Sequence, residues 1–358
     1  MRAAAQCLTR DTAATRRRPA AILRQVVGLQ AQVLSAAALG MRVRSTGLRF
    51  SDVKRALVDD RSIVRTWLMR GTLHLVATDD IRWLVQLLGP VFARAGASRQ
   101  AQLGLDDGLK TRGVAALRTI LADAGPLTRR ELFDRLRARG ILLDPKTQAT
   151  IHLIGLAAMQ GVLCVGPERD DGESTYVLLD DWVPSARTPT REAALAELAR
   201  RYFAAYGPAT VEDLGAWSGI AMADARSAVA RAKPSLADVT IQGQPGFVHK
   251  ARLRQVTASA PPDVRLLPAF DTYLLGYRRR DLAVAPALQR RLQRGGGWLH
   301  PAVVVDGRAV AAWSLRTSAR RGLVQVERIS RAIRIAVEAE VADIGRFLDL
   351  PVTLEVAR

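Results

Sequence analysis

The chain has 358 residues, of which 49% are hydrophobic and 24% are charged. This length is typical of two or three domains, each able to bury a core. Lysine and arginine total 53 against 34 aspartates and glutamates, a formal net charge of +19, which favours a polyanionic partner: nucleic acid first, an anionic membrane surface second.

The sequence lacks the features of membrane-spanning, secreted, disulfide-rich and zinc-binding proteins. No apolar run is long enough to span a membrane and no signal-peptide core is evident, so we expect a cytoplasmic, nucleoid-associated protein that does not bind a membrane. Cys7 and Cys164 are too far apart to suggest a disulfide framework or a zinc site. The four histidines have no metal-ligand spacing. The sequence also contains no P-loop and no dinucleotide-binding fingerprint, so we expect no metal and no cofactor.

Residues 1–100 are predicted to form a first module. After a flexible terminus of about 15 residues, two helices are expected at roughly 18–27 and 32–39, ending at Gly28 and Gly40. A third helix follows, capped by Ser51. The run "IVRTWLMRGTLHLVA" alternates polar and apolar residues and predicts a hairpin with Arg70-Gly71 at its turn.

A faint internal repeat defines the middle of the chain. The pattern Gly-Pro-x-Thr-x-x-x-Leu begins at Gly125 and again at Gly207. Thr128 and Thr210 are predicted to cap helices, with Glu131 and Asp213 three residues on in capping-box spacing. A second helical run and a pair of strand-like runs follow each copy. Helix, helix, hairpin is the order of a winged helix, which lays its second helix in the DNA major groove.

The sequence therefore predicts an α+β protein made of tandem winged-helix modules followed by a C-terminal β-rich domain. The winged helices are expected at 1–100, 101–185 and 186–260, with a linker between Pro184 and Pro189. The last domain is expected at 261–358, with a hairpin turn at Asp306-Gly307 and a C-terminal helix.

A second hairpin in this last domain carries Arg316, Arg320 and Arg321 near its tip. The tip is either a solvated turn or a probe that enters a DNA groove.

The stretch "VVGLQAQVLSA" places Gln30 and Gln32 in an otherwise apolar run. An amide buried without partners costs roughly 1–3 kcal/mol, so two glutamines in an apolar run require an explanation. On a helix, residues two apart point about 200° away from each other, whereas in an extended segment they face the same side. Because Gly28 precedes the pair, we expect a helix–helix junction where both amides converge. They either bridge backbone groups there or act on a substrate.

Four blocks of the chain together resemble the AlkZ/YcaQ-like DNA glycosylases: "GLQAQ", "RTWLMRGTLHLV", "LLPAFDTYLLGYRRRD" and "VVVDGRAVAAW". The resemblance spans nearly the whole chain and implies the winged-helix architecture above. It also implies that a Gln-x-Gln motif forms the active site, which carries over to Gln30 and Gln32. With glutamine at the third position of the motif, Gln32, this chain resembles the AlkZ subgroup of the family.

The resemblance implies a monofunctional DNA glycosylase that hydrolyses the N-glycosidic bond of cationic alkylated purines, such as N7-alkylguanine in bulky or crosslinking adducts. The partner is double-stranded DNA carrying alkylated bases, and the protein is expected to be a monomer. Self-resistance against a DNA-alkylating natural product and general repair both remain open. The family resemblance includes the block "RGTLHLV", so Arg70 and His74 are further candidates for contacts with DNA or the lesion. The alternative for His74 is a purely structural role in the sheet.

Asp271 lies in another of these blocks. It is either a general base or a turn or ion-pair carboxylate beside Arg278–Arg280, and Tyr273 and Tyr277 are predicted to pack in a core. Two other classes of function remain: a winged-helix transcriptional regulator without chemistry, and a protein that sequesters a DNA-damaging drug. A regulator has no need of the glutamine pair.

Overall fold

A computed structural model gives an α+β fold for residues 1–253, 262–293, 295 and 297–357, which are the residues described. The chain forms two compact units, one made of residues 1–54 and 195–358 and the other of residues 55–194. The helices are α1 (Arg2–Ala5), α2 (Arg10–Ala13), α3 (Pro19–Val26), α4 (Leu34–Arg42), α5 (Phe50–Val58), α6 (Thr78–Ala95), α7 (Ala97–Gln102), α8 (Asp107–Ala124), α9 (Arg129–Ala138), α10 (Ala149–Met159), α11 (Leu179–Trp182), α12 (Arg191–Tyr206), α13 (Val211–Ser218), α14 (Met222–Ala232), α15 (Thr272–Leu275), α16 (Pro286–Leu292) and α17 (Arg334–Leu348). The strands are β1 (Leu29–Gln30), β2 (Ile63–Trp67), β3 (Leu73–Ala77), β4 (Leu127–Thr128), β5 (Leu163–Glu168), β6 (Ser174–Leu178), β7 (Leu236–Ile241), β8 (Gln244–His249), β9 (Val264–Leu267), β10 (Ala302–Val305), β11 (Arg308–Thr317), β12 (Gly322–Val326) and β13 (Val352–Val356).

The repeated threonines begin helices as predicted. Thr128 precedes α9, where its hydroxyl accepts from the Glu131 N–H at 3.3 Å and the Glu131 carboxylate accepts from the Thr128 N–H at 2.7 Å. Thr210 and Asp213 form the same reciprocal pair at the start of α13, at 3.1 and 3.0 Å. Each pair satisfies two backbone donors that a helix start leaves without partners. Both predicted capping boxes are confirmed.

In the unit of residues 55–194, five strands are hydrogen-bonded in the order β3-β2-β5-β6-β4. Helices α8, α9 and α10 pack on one another and on these strands around fully buried leucines such as Leu117, Leu132 and Leu153. The chain order from α8 is helix, short strand, helix, helix, hairpin.

The unit of residues 1–54 and 195–358 contains a sheet of order β13-β12-β11-β10-β9. The β12–β13 pair is parallel and the other pairs are antiparallel. Asp306 and Gly307 join β10 to β11 with φ of +48° and +79°, as in the two-residue hairpin turn that the sequence predicts. Between α12 and β8, the chain again runs helix, helix, helix, hairpin.

The expectation of a flexible N-terminus is wrong. Residues 2–13 include α1 and α2, and Gln6 and Leu8 are buried. The Arg10 N–H donates to the Asp263 carboxylate at 2.7 Å, and the Arg265 Nε donates to the Leu8 carbonyl at 3.0 Å. These bonds to the start of β9, about 250 residues away, leave no local signal in the sequence.

Two predicted helix ends are also wrong. Gly40 lies inside α4 rather than after it, where its carbonyl accepts from the Arg44 guanidinium at 2.7 Å. Ser51 lies inside α5, and the Asp52 carboxylate instead accepts the Arg49 N–H at 2.9 Å.

The predicted division into modules at 1–100, 101–185, 186–260 and 261–358 is finer than the two compact units and stays a prediction. Its last boundary falls in residues 254–261, outside the described residues. The predicted linker, Pro184 to Pro189, contains no helix or strand.

Gly89 sets how closely α6 and α10 approach. A Cβ at this position would lie 1.9 Å from the Met159 carbonyl oxygen. Alanine normally stabilises a helix interior by roughly 0.5–1 kcal/mol relative to glycine, but here the two helices must separate. We expect Gly89→Ala to lower the free energy of unfolding by about 1–3 kcal/mol, measured by chemical denaturation. Gly108→Ala in α8, whose Cβ would lie 3.3 Å from the side-chain ends of the exposed Arg112 and Asp106, is the control and should cost much less than Gly89→Ala. Equal stability of the two variants would contradict this account.

Candidate active site

The glutamine pair lies in an extended segment between two helices. Helix α3 ends at a left-handed turn, with φ of +56° at Val27 and +101° at Gly28, and α4 begins at Leu34. Gln30 is in β1 and Gln32 is in the bend that follows. The predicted junction is confirmed.

Burial alternates along this segment. Leu29 and Ala31 are 2% and 0% exposed, whereas Gln30 is half-buried and Gln32 is exposed. Because alternate residues of an extended chain face opposite sides, both amides lie on the side away from the core. The packing of Leu29 and Ala31 thus leaves two neutral polar groups more exposed than their neighbours, and their convergence on one spot stays a prediction.

The backbone just before the pair is held by Tyr206. Its buried hydroxyl donates to the Val26 carbonyl at 2.7 Å and lies 2.6 Å from the Thr272 hydroxyl. Since the single Tyr206 proton goes to Val26, Thr272 donates to Tyr206. Burial raises the pKa of Tyr206, so the phenol keeps this proton. The ring stacks on Tyr202 at 4.9 Å, and the turn at Val27 and Gly28 starts from a fixed carbonyl.

The helix after the pair is held by a buried ion pair between Arg44 and Asp271. The two Arg44 amino groups donate to the two Asp271 oxygens, each at 2.8 Å, and the two side chains are 1% and 0% exposed. Arg44 also donates to the Gly40 carbonyl at 2.7 Å and to the Gln6 side chain at 3.0 Å. Burial alone would lower the pKa of Arg44, but the Asp271 carboxylate more than offsets it and the pKa is raised.

Asp271 is therefore an ion-pair carboxylate and not an accessible base, and its partner is Arg44 rather than Arg278–Arg280. One of its oxygens also accepts the Tyr273 N–H at 2.9 Å. Tyr273 and Tyr277 are 3% and 4% exposed, which confirms their predicted packing in the core.

The supporting residues Arg44, Tyr206 and Thr272 were missed by sequence reasoning. One weak signal exists: Arg44 follows the apolar run "AAALGM" closely, and a charge in such a run needs a buried partner. Nothing in the sequence points to that partner, which is 227 residues away.

His74 lies in β3, opposite Thr66, and is 2% exposed. Burial, and then Arg70, lower its pKa to about 3, so the imidazole is neutral at physiological pH. Its Nδ1 lies 2.9 Å from the Thr72 carbonyl oxygen, which places the proton on that nitrogen. This geometry supports a structural role, and contact with DNA or the lesion stays a prediction.

Arg70 occupies the predicted turn between β2 and β3. It is half-buried and adopts φ of +57° within a 3-10 turn at Met69–Gly71. Arg316, Arg320 and Arg321 are exposed around the tip of the β11–β12 hairpin, where the Ser318 N–H donates to the Arg321 carbonyl at 2.9 Å. Among the described residues no carboxylate forms an ion pair with these three arginines.

Other chemistry-bearing groups are few in the part of the chain that the structure describes. No group of three or more His, Cys, Asp or Glu residues is arranged to hold a metal ion there. Cys7 and Cys164 are both buried free thiols, and burial raises the pKa of the Cys164 thiol. No helix within the described ranges is long and apolar enough to cross a membrane.

Comparisons with known proteins define the class as DNA glycosylases. The model of the family "DNA glycosylase AlkZ-like" matches residues 23–347. The interstrand DNA cross-link repair glycosylase of Streptomyces sahachiroi is 31% identical over 310 residues, which is 82% of this chain and 81% of the relative. The solved structure of Streptomyces sahachiroi DNA glycosylase AlkZ matches with a TM-score of 0.77 and 27% identity, over 98% of each chain. The chain belongs to the AlkZ-like DNA glycosylase family.

Removing the Tyr206 hydroxyl tests whether it positions the glutamine segment. Tyr206→Phe keeps the stacked ring but leaves the buried Val26 carbonyl without its donor, which costs about 1–3 kcal/mol of stability. Because Val26 leads into the turn before Gln30, we also expect a slower single-turnover excision rate at saturating DNA, with unchanged DNA affinity.

The matched control is Tyr273→Phe, which loses another hydroxyl bond, from Tyr273 to the Gly307 carbonyl at 2.7 Å. It should lower the melting temperature and leave the rate per folded molecule unchanged. Equal rate losses in both variants would show that Tyr206 stabilises the fold without specifically positioning the glutamine segment.

Proposed function

We propose that this glycosylase hydrolyses the N-glycosidic bond of purines that carry a positive charge through alkylation at a ring nitrogen, N7-alkylguanine first among them. The observation that carries the proposal is the accessible pair Gln30 and Gln32, set on one face of a braced extended segment. The name of the similar Streptomyces sahachiroi protein, an interstrand cross-link repair glycosylase, extends the proposal to crosslinking adducts, which include those formed by natural products.

Two neutral amides suit this reaction. A cationic base is already a good leaving group and needs no acid to protonate it. The enzyme has to stabilise an oxocarbenium-like sugar and place a water against its C1′ atom. Glutamine carbonyl oxygens accept a water hydrogen and direct a dipole toward the cation. Because neither amide is a strong base, unmodified neutral bases should not be released.

The reaction is proposed to be monofunctional, leaving an intact abasic site. A lyase requires an amine nucleophile, and the lysine nearest to the motif in sequence is Lys54. The enzyme is proposed to act as a monomer on double-stranded DNA. The repeated order of helices and hairpin supports winged-helix modules that bind the duplex. The arginines of the β11–β12 hairpin, with Arg70, are the proposed DNA-contacting residues.

A winged-helix regulator without chemistry is the alternative within the same architecture. It accounts for the net charge of +19, but it gives no reason for two accessible glutamines whose backbone is fixed from both sides. Release of 7-methylguanine from duplex DNA by excess enzyme tests the choice directly: no released base favours the regulator, and strand cleavage without alkali favours a lyase.

If Gln30 and Gln32 are catalytic, Gln30→Ala and Gln32→Ala should lower the single-turnover excision rate. Loss of one positioned polar group costs about 10²–10³ in rate in well-studied enzymes, and the labile substrate makes the lower end the expectation. The melting temperature should hold, and DNA affinity should barely change because an amide releases no counterions.

Gln25→Ala is the matched control on the preceding helix. Its amide donates to the Ala5 carbonyl at 3.0 Å, so its loss should lower the melting temperature and leave excision per folded molecule unchanged. A destabilised but fully active Gln32→Ala protein would remove that residue from the catalytic assignment.

The exposed arginines of the hairpin tip are tested by the salt dependence of binding to undamaged DNA. Each neutralised phosphate contributes about −0.9 to the log–log slope. Arg320→Ala combined with Arg321→Ala should therefore flatten the slope by about two.

The control removes the same charge elsewhere, with Arg331→Ala in the 3-10 turn before α17 and Arg334→Ala at the first residue of α17, both exposed. It should change the slope by less than half as much. An unchanged slope in the hairpin variant would mean that the tip is only a solvated turn.

A further inference from the structure

Helix α9, in the unit of residues 55–194, carries four arginines in ten residues: Arg129, Arg130, Arg135 and Arg137. All four are exposed, and among the described residues no carboxylate forms an ion pair with any of them. Apart from Ala138, every exposed residue of the helix is charged. The helix therefore presents a surface of cations that no ion pair neutralises.

The local fold does not require these arginines. The first turn of a helix is the positive end of its dipole, so a cation there is unfavourable, yet Arg129 and Arg130 both lie in it. Helix α13 follows the second Gly-Pro-x-Thr pattern and has the same kind of capping box, but it contains no lysine or arginine. The same local structure is thus built without the four cations, which need another reason.

The next helix, α10, is poorly suited to bind DNA itself. In a helix-turn-helix the second helix lies in the major groove, and α10 is the second helix after the capping box at Thr128. Eight of its eleven residues are buried, and it contains no charged side chain. It packs on α6, α8 and β2, so it would have to leave the core to enter a groove. A DNA contact from this pair of helices has to come from α9.

We propose that α9 binds the phosphate backbone of duplex DNA, so that this unit contacts the substrate through the first helix of the repeat instead of the second. The assignment rests on the proposed action on double-stranded DNA. Arg130 and Arg137 are seven residues apart, which places them on one face of the helix and about 10 Å apart along its axis. Both can therefore contact one duplex. Phosphate contacts add affinity and fix position without reading sequence.

A duplex fits this surface better than a protein or a single strand does. A protein interface has an apolar centre depleted of charge, and the exposed side of α9 has no such centre. A single strand is bound by aromatic side chains that stack on its bases, but the aromatic residue of α9, Phe133, is half-buried and packs against the core. Exposed arginines alone gain affinity by releasing counterions from the dense phosphates of a duplex.

The experiment measures how binding of the full-length protein to an undamaged duplex depends on salt, by fluorescence anisotropy. Arg130→Ala combined with Arg137→Ala should flatten the log–log slope by about two, because each phosphate contact contributes about −0.9. The loss should be equal on A·T-rich and G·C-rich duplexes. The melting temperature should not fall, because both side chains are exposed and alanine favours a helix.

The matched control, Arg94→Ala with Arg112→Ala, removes the same charge from exposed positions of α6 and α8. It should flatten the slope by less than about one.

A gain of affinity gives an independent check. Asp134 is exposed and lies between Arg130 and Arg137 on the same face of α9, so it repels any phosphate that they contact. Asp134→Asn should tighten binding at low salt by about threefold, as the loss of one charge repulsion across water predicts. Asp60→Asn, which removes an exposed acid of the same unit outside α9, should tighten it less. Damage to the fold would weaken binding instead.

Several outcomes would overturn the assignment. An unchanged slope in the variant of Arg130 and Arg137 would exclude DNA in favour of an acidic protein as the partner of α9. Equal flattening in the control would show an effect of net charge without a site. Unequal losses on the two duplexes would mean that α9 reads base edges rather than the backbone. Failure of base release with an intact, α9-dependent slope would overturn only the proposed glycosidic chemistry.

Discussion

The placement of the glutamine segment depends on two adjacent residues, Asp271 and Thr272. Asp271 binds Arg44 with both oxygens, which fixes the chain just after α4. Thr272 donates to Tyr206, whose own proton goes to the Val26 carbonyl, and this fixes the end of α3. One dipeptide far away in the sequence thus holds the chain on both sides of the pair.

A second buried cation, Arg42, fixes the same helix from another direction. It donates to Glu340 and to Asp343, each at 2.9 Å, while Glu340 also accepts the Leu266 N–H at 2.9 Å. A buried ion pair stabilises little by itself because desolvation offsets the attraction, but losing one partner leaves a costly charge. The consequence here is geometric: the pairing of Arg42 with Glu340 and Asp343 ties the end of α4 to α17, and the bond from the Leu266 N–H to Glu340 ties β9 to the same carboxylate.

Much of this protein was predictable from local patterns, and the exceptions share one cause. The capping boxes at Thr128 and Thr210 and the turn at Asp306-Gly307 depend only on neighbours in sequence, and they are where the sequence predicts them. Gly40 looked like a helix end because glycine is common just after a helix. The helix instead continues to Arg42, whose side chain bonds to Glu340 and Asp343, 298 and 301 positions away. The ordered N-terminus has the same kind of origin.

The candidate site follows the same rule. Gln30 and Gln32 stood out because two amides in an apolar run are locally costly, and the extended segment followed from Gly28. The residues that brace the segment carry no local anomaly of comparable size: tyrosines are common in cores, and a threonine hydroxyl has many uses. Only the fold shows that Tyr206, Thr272 and Asp271 meet around the segment.

The contrast between two neutral glutamines and the buried residues that brace their segment fits the physics of the proposed reaction. A neutral amide has little intrinsic power as acid or base, so its contribution to rate comes from being in the right place before the reaction begins. That requirement explains why buried charges, which contribute little net stability, surround the segment: they make alternative positions of α4 unfavourable. DNA affinity has the opposite requirement, because counterion release rewards exposed cations that need no exact geometry. The arginines proposed to bind DNA at the hairpin tip are exposed, whereas Arg42 and Arg44 are buried and paired.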